Sequence, residues 1–177
     1  MNTLLQLAAD LASGKISSLE LTQLMLKRAQ DPNGQGAKVF TKLFTDQALL
    51  AAQASDTLRQ AGLSRSVLEG VPISVKDLFD VKGQVTTSGS VVLKNAPPAE
   101  VDSAVVQRLR AAGAVIVGMT NMTEFAYSGL GINPHYGTPL SPWDRETGRI
   151  PGGSSSGAAV SVADGMAAAG IGSDTGG

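Results

Sequence analysis

At 177 residues the chain fits one domain of ordinary size or part of a larger one, and its 42% hydrophobic content and 21 glycines supply enough core material to exclude disorder. A formal net charge of −1, from 14 basic and 15 acidic residues, leaves no basic stripe on which nucleic acid would bind. The lack of cysteine excludes disulfides, thiolate metal sites and a Cys nucleophile, and the single histidine, His135, excludes a His-based metal cluster.

The N-terminus carries no basic segment ahead of an apolar run, and no stretch approaches the roughly 18 uninterrupted apolar residues of a membrane span. A cytoplasmic protein with no membrane partner is the expectation. In chain order, Leu4, Leu7, Ala8 and Leu11 fall at helical spacing and Gly14 closes the turn. Ser17 and Glu20 form a Ser-x-x-Glu capping box, behind which Leu21, Leu24, Met25 and Ala29 share one helical face. Asp31 to Gly34 reads as a loop and Val39 to Phe44 as a short strand. Thr45 or Asp46 is expected to cap an Ala-rich helix ending near Gly62, so that residues 1–62 form a mainly helical region.

Gly70 to Val75 reads as a strand, with Val71, Ile73 and Val75 on one side and Ser74 and Lys76 on the other. Asp102 is the expected N-cap of a helix over Ser103 to Ala112, stopped by Gly113. Ala114 to Gly118 is a continuous apolar run, as suits a strand buried on both faces. Thr120 or Asn121 is expected to open a short helix through Phe125. The Gly- and Pro-rich stretch from Gly129 to Gly153 reads as irregular, and Ala158 to Ala169 as a buried helix. Strands alternating with helices indicate an α/β fold: a layered mixed β-sheet covered by helices.

Three segments hold candidate chemistry. Lys76 follows an apolar strand. It is either a solvated strand-end lysine or a desolvated amine whose lowered pKa makes it a base near neutral pH. Ser154, Ser155 and Ser156 lie in a Gly/Ser loop that reads as a flexible turn or as an anion cradle; it lacks both the Walker A and the dinucleotide-binding spacing. Asp174-Thr175-Gly176-Gly177 is either a turn or a nest of amides able to stabilise an oxyanion. His135 could serve as a base but reads better as a structural or pocket-edge residue, and Tyr136 and Trp143 as packing residues.

In combination, order and spacing, these segments resemble the amidase signature family. Gly70 to Asp77 resembles its strand-to-lysine segment, Thr120 to Ala126 its helix-opening segment, and Pro151 to Gly157 and Gly172 to Gly177 its two Gly/Ser loops. The resemblance spans essentially the whole chain. One departure, Ser156-Gly157-Ala158 where that family often has Gly-Gly-Ser or Ser-Gly-Ser, leaves the matched relay serine in place.

The resemblance implies the amidase signature fold, with residues 1–177 as a single domain cut short on its C-terminal side. It also implies amide hydrolysis through a Ser-cisSer-Lys triad and an acyl-enzyme. Lys76 would be the neutral base. Ser154, following a cis bond from Gly153, would relay the proton. Thr175, Gly176 and Gly177 would supply the oxyanion hole, and Ser128 and Gly129 would line the substrate pocket. Counting the family's 24 residues from Ser154 puts the nucleophilic serine at position 178, one past the end of the sequence. The expected partner is a small carboxamide, with no cofactor, no metal, no nucleic acid bound directly, and a homodimer allowed. The A subunit of an aminoacyl-tRNA amidotransferase shares the triad and is the alternative. Tyr127-Ser128-Gly129-Leu130-Gly131 departs from that subunit's usual sequence, which favours a stand-alone amidase. A third reading is an inactive fragment with only a binding or structural role.

Overall fold

A computed structural model describes residues 3–176. Helix α1 (Leu4–Ala12) is capped by the Thr3 side chain, which accepts from the Gln6 amide. Helix α2 (Ser18–Ala29) begins with the full capping box: the Ser17 side chain accepts from Glu20 N–H, and the Glu20 carboxylate accepts from Ser17 N–H. A one-turn helix α3 (Gly36–Val39), not foreseen from the sequence, leads into strand β1 (Phe40–Leu43). Helix α4 (Thr45–Gln60) starts without a side-chain cap, so neither Thr45 nor Asp46 plays the expected part. Thr45 Oγ1 instead accepts a bond from Gln30 Nε2 at 3.1 Å, which ties α4 to the end of α2.

Strand β2 (Pro72–Lys76) is buried at every residue, as is strand β3 (Val115–Thr120). Between them, helix α5 (Ala104–Ala111) has Ser103 at its N-cap position and no side-chain cap bond. Asp102 is engaged elsewhere: one carboxylate oxygen accepts from Lys82 N–H at 2.7 Å and the other pairs with Arg110 at 3.0 Å. The expected helix through Phe125 is only a 3₁₀ turn, Glu124–Ala126, because Thr120 still belongs to β3 and Asn121 spends its side chain on the carbonyls of Lys38 and Gly137. The segment expected as one helix from Ala158 to Ala169 divides into helix α6 (Ser156–Ala163) and strand β4 (Ala169–Ile171), with the break at Gly165, whose φ is +67°.

The four strands form one mixed sheet in the order β1-β3-β2-β4. β2 runs parallel to β3 and β4, while β1 is antiparallel to β3. This is the layered α/β architecture expected from the sequence. Leu26, Ala29, Ala48 and Ala52 pack from α2 and α4 against Val115 and Val117 of β3. Val106 of α5 packs against Val75, Ile116 and Met119. Leu11, Leu21 and Met25 cover Val71 and Ile73 at the start of β2. β2 is therefore flanked by a strand on each side and covered by helices, and its C-terminal end delivers Lys76 to the site. No helix among the described residues is long and apolar enough to cross a membrane.

Candidate active site

Strand alternation turns Val75 into the α5 cluster and leaves Ser74 and Lys76 facing α6. Ser161 Oγ donates to the Ala158 carbonyl at 2.8 Å, so the 2.8 Å bond between Ser74 and Ser161 has Ser74 as donor. That bond seats α6 on β2 two residues before the lysine. Lys76 itself is 0% exposed. Its Nζ donates to Ser154 Oγ at 2.6 Å and to Ser173 Oγ at 2.8 Å. Burial lowers its pKa from the ordinary lysine value, and the Asp174 carboxylate partly offsets this. Of the two sequence readings of Lys76, the solvated strand-end lysine is therefore overturned.

The Ser154 loop is held by backbone. The Gly153–Ser154 peptide bond is cis, as the resemblance implies. Gly153 N–H donates to the Gly129 carbonyl at 2.8 Å, and the Ser154 carbonyl accepts from Thr123 N–H at 3.0 Å. A Cβ at Gly153 would come within 2.6 Å of Gly131 N, and one at Gly131, whose φ is +79°, would be driven into the Gly152 carbonyl. Two glycine strips therefore stack backbone on backbone, which places the relay loop firmly without side chains. Ser155 Oγ links the two Gly/Ser loops by accepting from Ser173 N–H at 3.2 Å.

Ser154, Ser128, Gly129, Thr175 and Gly176 all line one cleft of about 740 Å³, together with Phe125, Ala126 and Tyr127. The structure thus brings together every sequence-derived site residue that it describes; Gly177 lies outside the described residues. Gly176 N–H points to Asp174 Oδ1 at 3.2 Å rather than into the cleft. A groove of similar size, about 730 Å³, runs between α2 and α4, but its walls are mostly aliphatic stems and surface polar groups and Lys76 does not reach it. Among the described residues, no group of three or more His, Cys, Asp or Glu side chains could hold a metal ion.

Ser173 is a site residue that the sequence does not single out. The available signal is stoichiometric: a buried lysine amine needs more than one acceptor, and Ser173 is the hydroxyl beside Asp174 in the second loop. His135 sits outside the Lys76 cluster. Its Nε2 lies 3.1 Å from Glu124 Oε1, the same oxygen that accepts from Ser90 Oγ at 2.6 Å, so the carboxylate stands between this imidazole and the nearest serine. That arrangement is the wrong order for a Ser-His-acid triad. Tyr136 is partly buried and reaches Thr87, but Trp143 is 82% exposed, so the expectation that it packs fails. It belongs to a surface excursion braced by the Arg145–Asp164 and Arg149–Asp144 pairs.

A buried lysine bonded to a serine in a glycine-rich loop defines an amidase-type site, and comparison with known proteins agrees. The family model described as Amidase matches residues 20–177, and the chain belongs to this family. The A chain of glutamyl-tRNA(Gln) amidotransferase from Anaeromyxobacter dehalogenans (strain 2CP-C) is 48% identical over 170 residues, covering 96% of this chain and 34% of that protein. Its counterpart from Chloroflexus aurantiacus (strain ATCC 29366 / DSM 635 / J-10-fl) is 43% identical over 171 residues, with 96% and 34% covered. A crystal structure of an amidase superposes with a TM-score of 0.88 at 36% identity, covering 99% of this chain and 39% of that one. The native peptide amidase from Stenotrophomonas maltophilia gives 0.80 at 35%, covering 94% and 34%. The chain spans about a third of the length of the curated relatives it matches.

Proposed function

We propose that these residues form the base-and-relay half of an amide-hydrolysing centre acting on a small carboxamide. The observation that carries this reading is the 2.6 Å contact between Ser154 Oγ and a fully buried Lys76. A neutral amine keeps two N–H bonds and one lone pair. With one N–H given to Ser173, the lone pair is free to face Ser154 and take its proton. Ser154 then takes the proton of the serine that the reading requires at position 178, and that oxygen attacks the carbonyl carbon. As the C–N bond breaks, the proton returns through Ser154 to the leaving nitrogen. Water, activated by the same relay, releases the acyl group.

Thr175, Gly176 and Gly177 are assigned to the oxyanion, which requires Gly176 N–H to leave the Asp174 carboxylate when substrate binds. Ser128 and Gly129 are assigned to the substrate wall. The reading includes a cytoplasmic location and a single domain of which this chain is the N-terminal part.

A second reading, the A subunit of a tRNA-dependent amidotransferase, is favoured by the names of the curated relatives. It uses the same three side chains, with glutamine as the amide. The test reads the codon after that of Gly177 and assays the chain, with whatever its gene encodes beyond that point, for ammonia release from simple carboxamides and from glutamine. A serine at 178, with activity abolished in Lys76→Ala and Ser154→Ala, supports the mechanism. Full activity in both variants sinks it. Glutaminase activity together with copurifying partner proteins selects the second reading.

A further inference from the structure

Residues 77–103 run from β2 to α5 without a helix or strand, and a segment that long needs an anchor. The anchor is Asp77, the neighbour of Lys76, whose side chain the mechanism above leaves unused. It is 1% exposed. Its Oδ1 accepts from Thr87 N–H at 2.9 Å and its Oδ2 from Thr87 Oγ1. Its carbonyl accepts from Ser88 N–H at 2.8 Å. A single residue thereby grips two successive residues of the loop. Ser88, at φ +52°, then turns its own carbonyl to Phe125 N–H at 2.9 Å.

Phe125 and Ala126 are the other two non-glycine residues with positive φ, at +51° and +56°, and both line the cleft. L side chains adopt that conformation only where the surroundings impose it. Here it is imposed from both ends. Phe125 N–H is held by Ser88, and Thr123 N–H is held by the carbonyl of the relay residue, Ser154. Ser90 adds a third tether through Glu124.

Asp77 and Lys76 leave β2 in opposite directions and answer to different surroundings. Lys76 feels burial and Asp174. Asp77 feels burial, which raises its pKa, together with Thr87, Thr41 and Lys42. Burying a carboxylate where an apolar side chain would stabilise the fold as well requires a geometric return. We infer that Asp77 is a positioning residue that sets the cleft wall at Phe125–Ala126 through Thr87 and Ser88, and so governs which acyl group fits while leaving the strength of the base untouched. This rests on the amide-hydrolysis reading for its kinetic part only.

The test uses Thr87→Val, which removes one hydroxyl bond and keeps the backbone one, beside Asp77→Ala. In hydrogen exchange, both variants should speed exchange in the peptide covering residues 123–127 by about tenfold or more, with residues 72–76 unchanged. In kinetics, with 4-nitroanilides of acetic and benzoic acid as probes and active sites counted by fluorophosphonate labelling, KM for the benzoyl probe should rise about fivefold relative to the acetyl probe. The kcat per labelled site and the pH of the acid limb should stay put. Unchanged exchange at 123–127 overturns the inference, as does a fall in kcat with both KM values constant, the signature of general destabilisation. Absence of hydrolysis and labelling in the wild-type protein overturns the amide-hydrolysis reading instead, and the exchange result then decides the positioning role by itself.

Discussion

Glu69 stands at the foot of β2, fully buried and charged. Arg65 forks onto it, with Nε 2.7 Å from Oε2 and Nη2 2.6 Å from Oε1, and the Arg65 amide adds a third bond at 2.9 Å. The Glu69 carbonyl accepts from Arg59, and Gly70 N–H donates to the Gly113 carbonyl at 2.8 Å, so this residue fixes where β2 begins beside β3. Burial pushes the Glu69 carboxyl up, but the Arg65 fork outweighs it and holds the group at about 2, against an ordinary 4.5. At about 1.4 kcal/mol per tenfold change in proton affinity, that difference amounts to roughly 3 kcal/mol. The Arg65 side chain is 42% exposed, so solvent screening reduces the expected gain to about 2 kcal/mol. The folded value lies below the unfolded one. The stabilisation is therefore complete above the unfolded value and is lost as pH falls from about 4.5 toward 2. Urea unfolding of the wild type and of Glu69→Gln, which keeps the shape and removes the titration, should show a stability gap that shrinks by about 2 kcal/mol between about pH 6 and pH 2.5. A gap that stays constant across that range refutes the argument.

Ser173→Ala takes away one of the two acceptors of the buried Lys76 amine; leaving a polar group short of a partner costs about 1–3 kcal/mol, so kcat/KM should fall roughly ten- to hundredfold with little change in KM. Asp174→Asn removes the one charge that raises the Lys76 pKa, so the acid limb of the pH–rate profile should move to lower pH; a move upward contradicts the assignment of Lys76 as base. Gly131→Ala combines a left-handed φ of +79° with a collision against the Gly152 carbonyl; unfolding stability should drop by about 3 kcal/mol or more, with loss of activity as the relay loop is displaced.

What the sequence reveals depends on whether the signal is local. The Ser17–Glu20 box, the buried run at β3 and the apolar alternation of β2 each sit within a few residues, and each is legible. Lys76 and Ser154 are legible by order and spacing, although 78 positions apart. Sequence and structure part where a distant group competes for the residue. Asp102 is a good N-cap by type, but Lys82 and Arg110 claim its carboxylate. Asn121 looks like a helix opener, but the Lys38 and Gly137 carbonyls take its amide. The Ala-rich stretch after Ser156 reads as one helix, yet Ala169–Ile171 pairs with Ile73–Val75, and sheet pairing overrides propensity. The left-handed turn at Phe125–Ala126 has no sequence signal, because neither residue favours that conformation and the partners that impose it lie more than thirty positions away or across the cleft.

The layout also bears on how such a site can change over generations. The proton-accepting group is carried by a strand that has a neighbour on either side, whereas the surface that meets the substrate is built from turns and glycine strips. Substitutions in the turns alter what is admitted without moving the amine that reacts, and substitutions in the strand are removed by selection for folding before they can be tried for activity. A lineage built this way can exchange one amide for another while inheriting its chemistry intact.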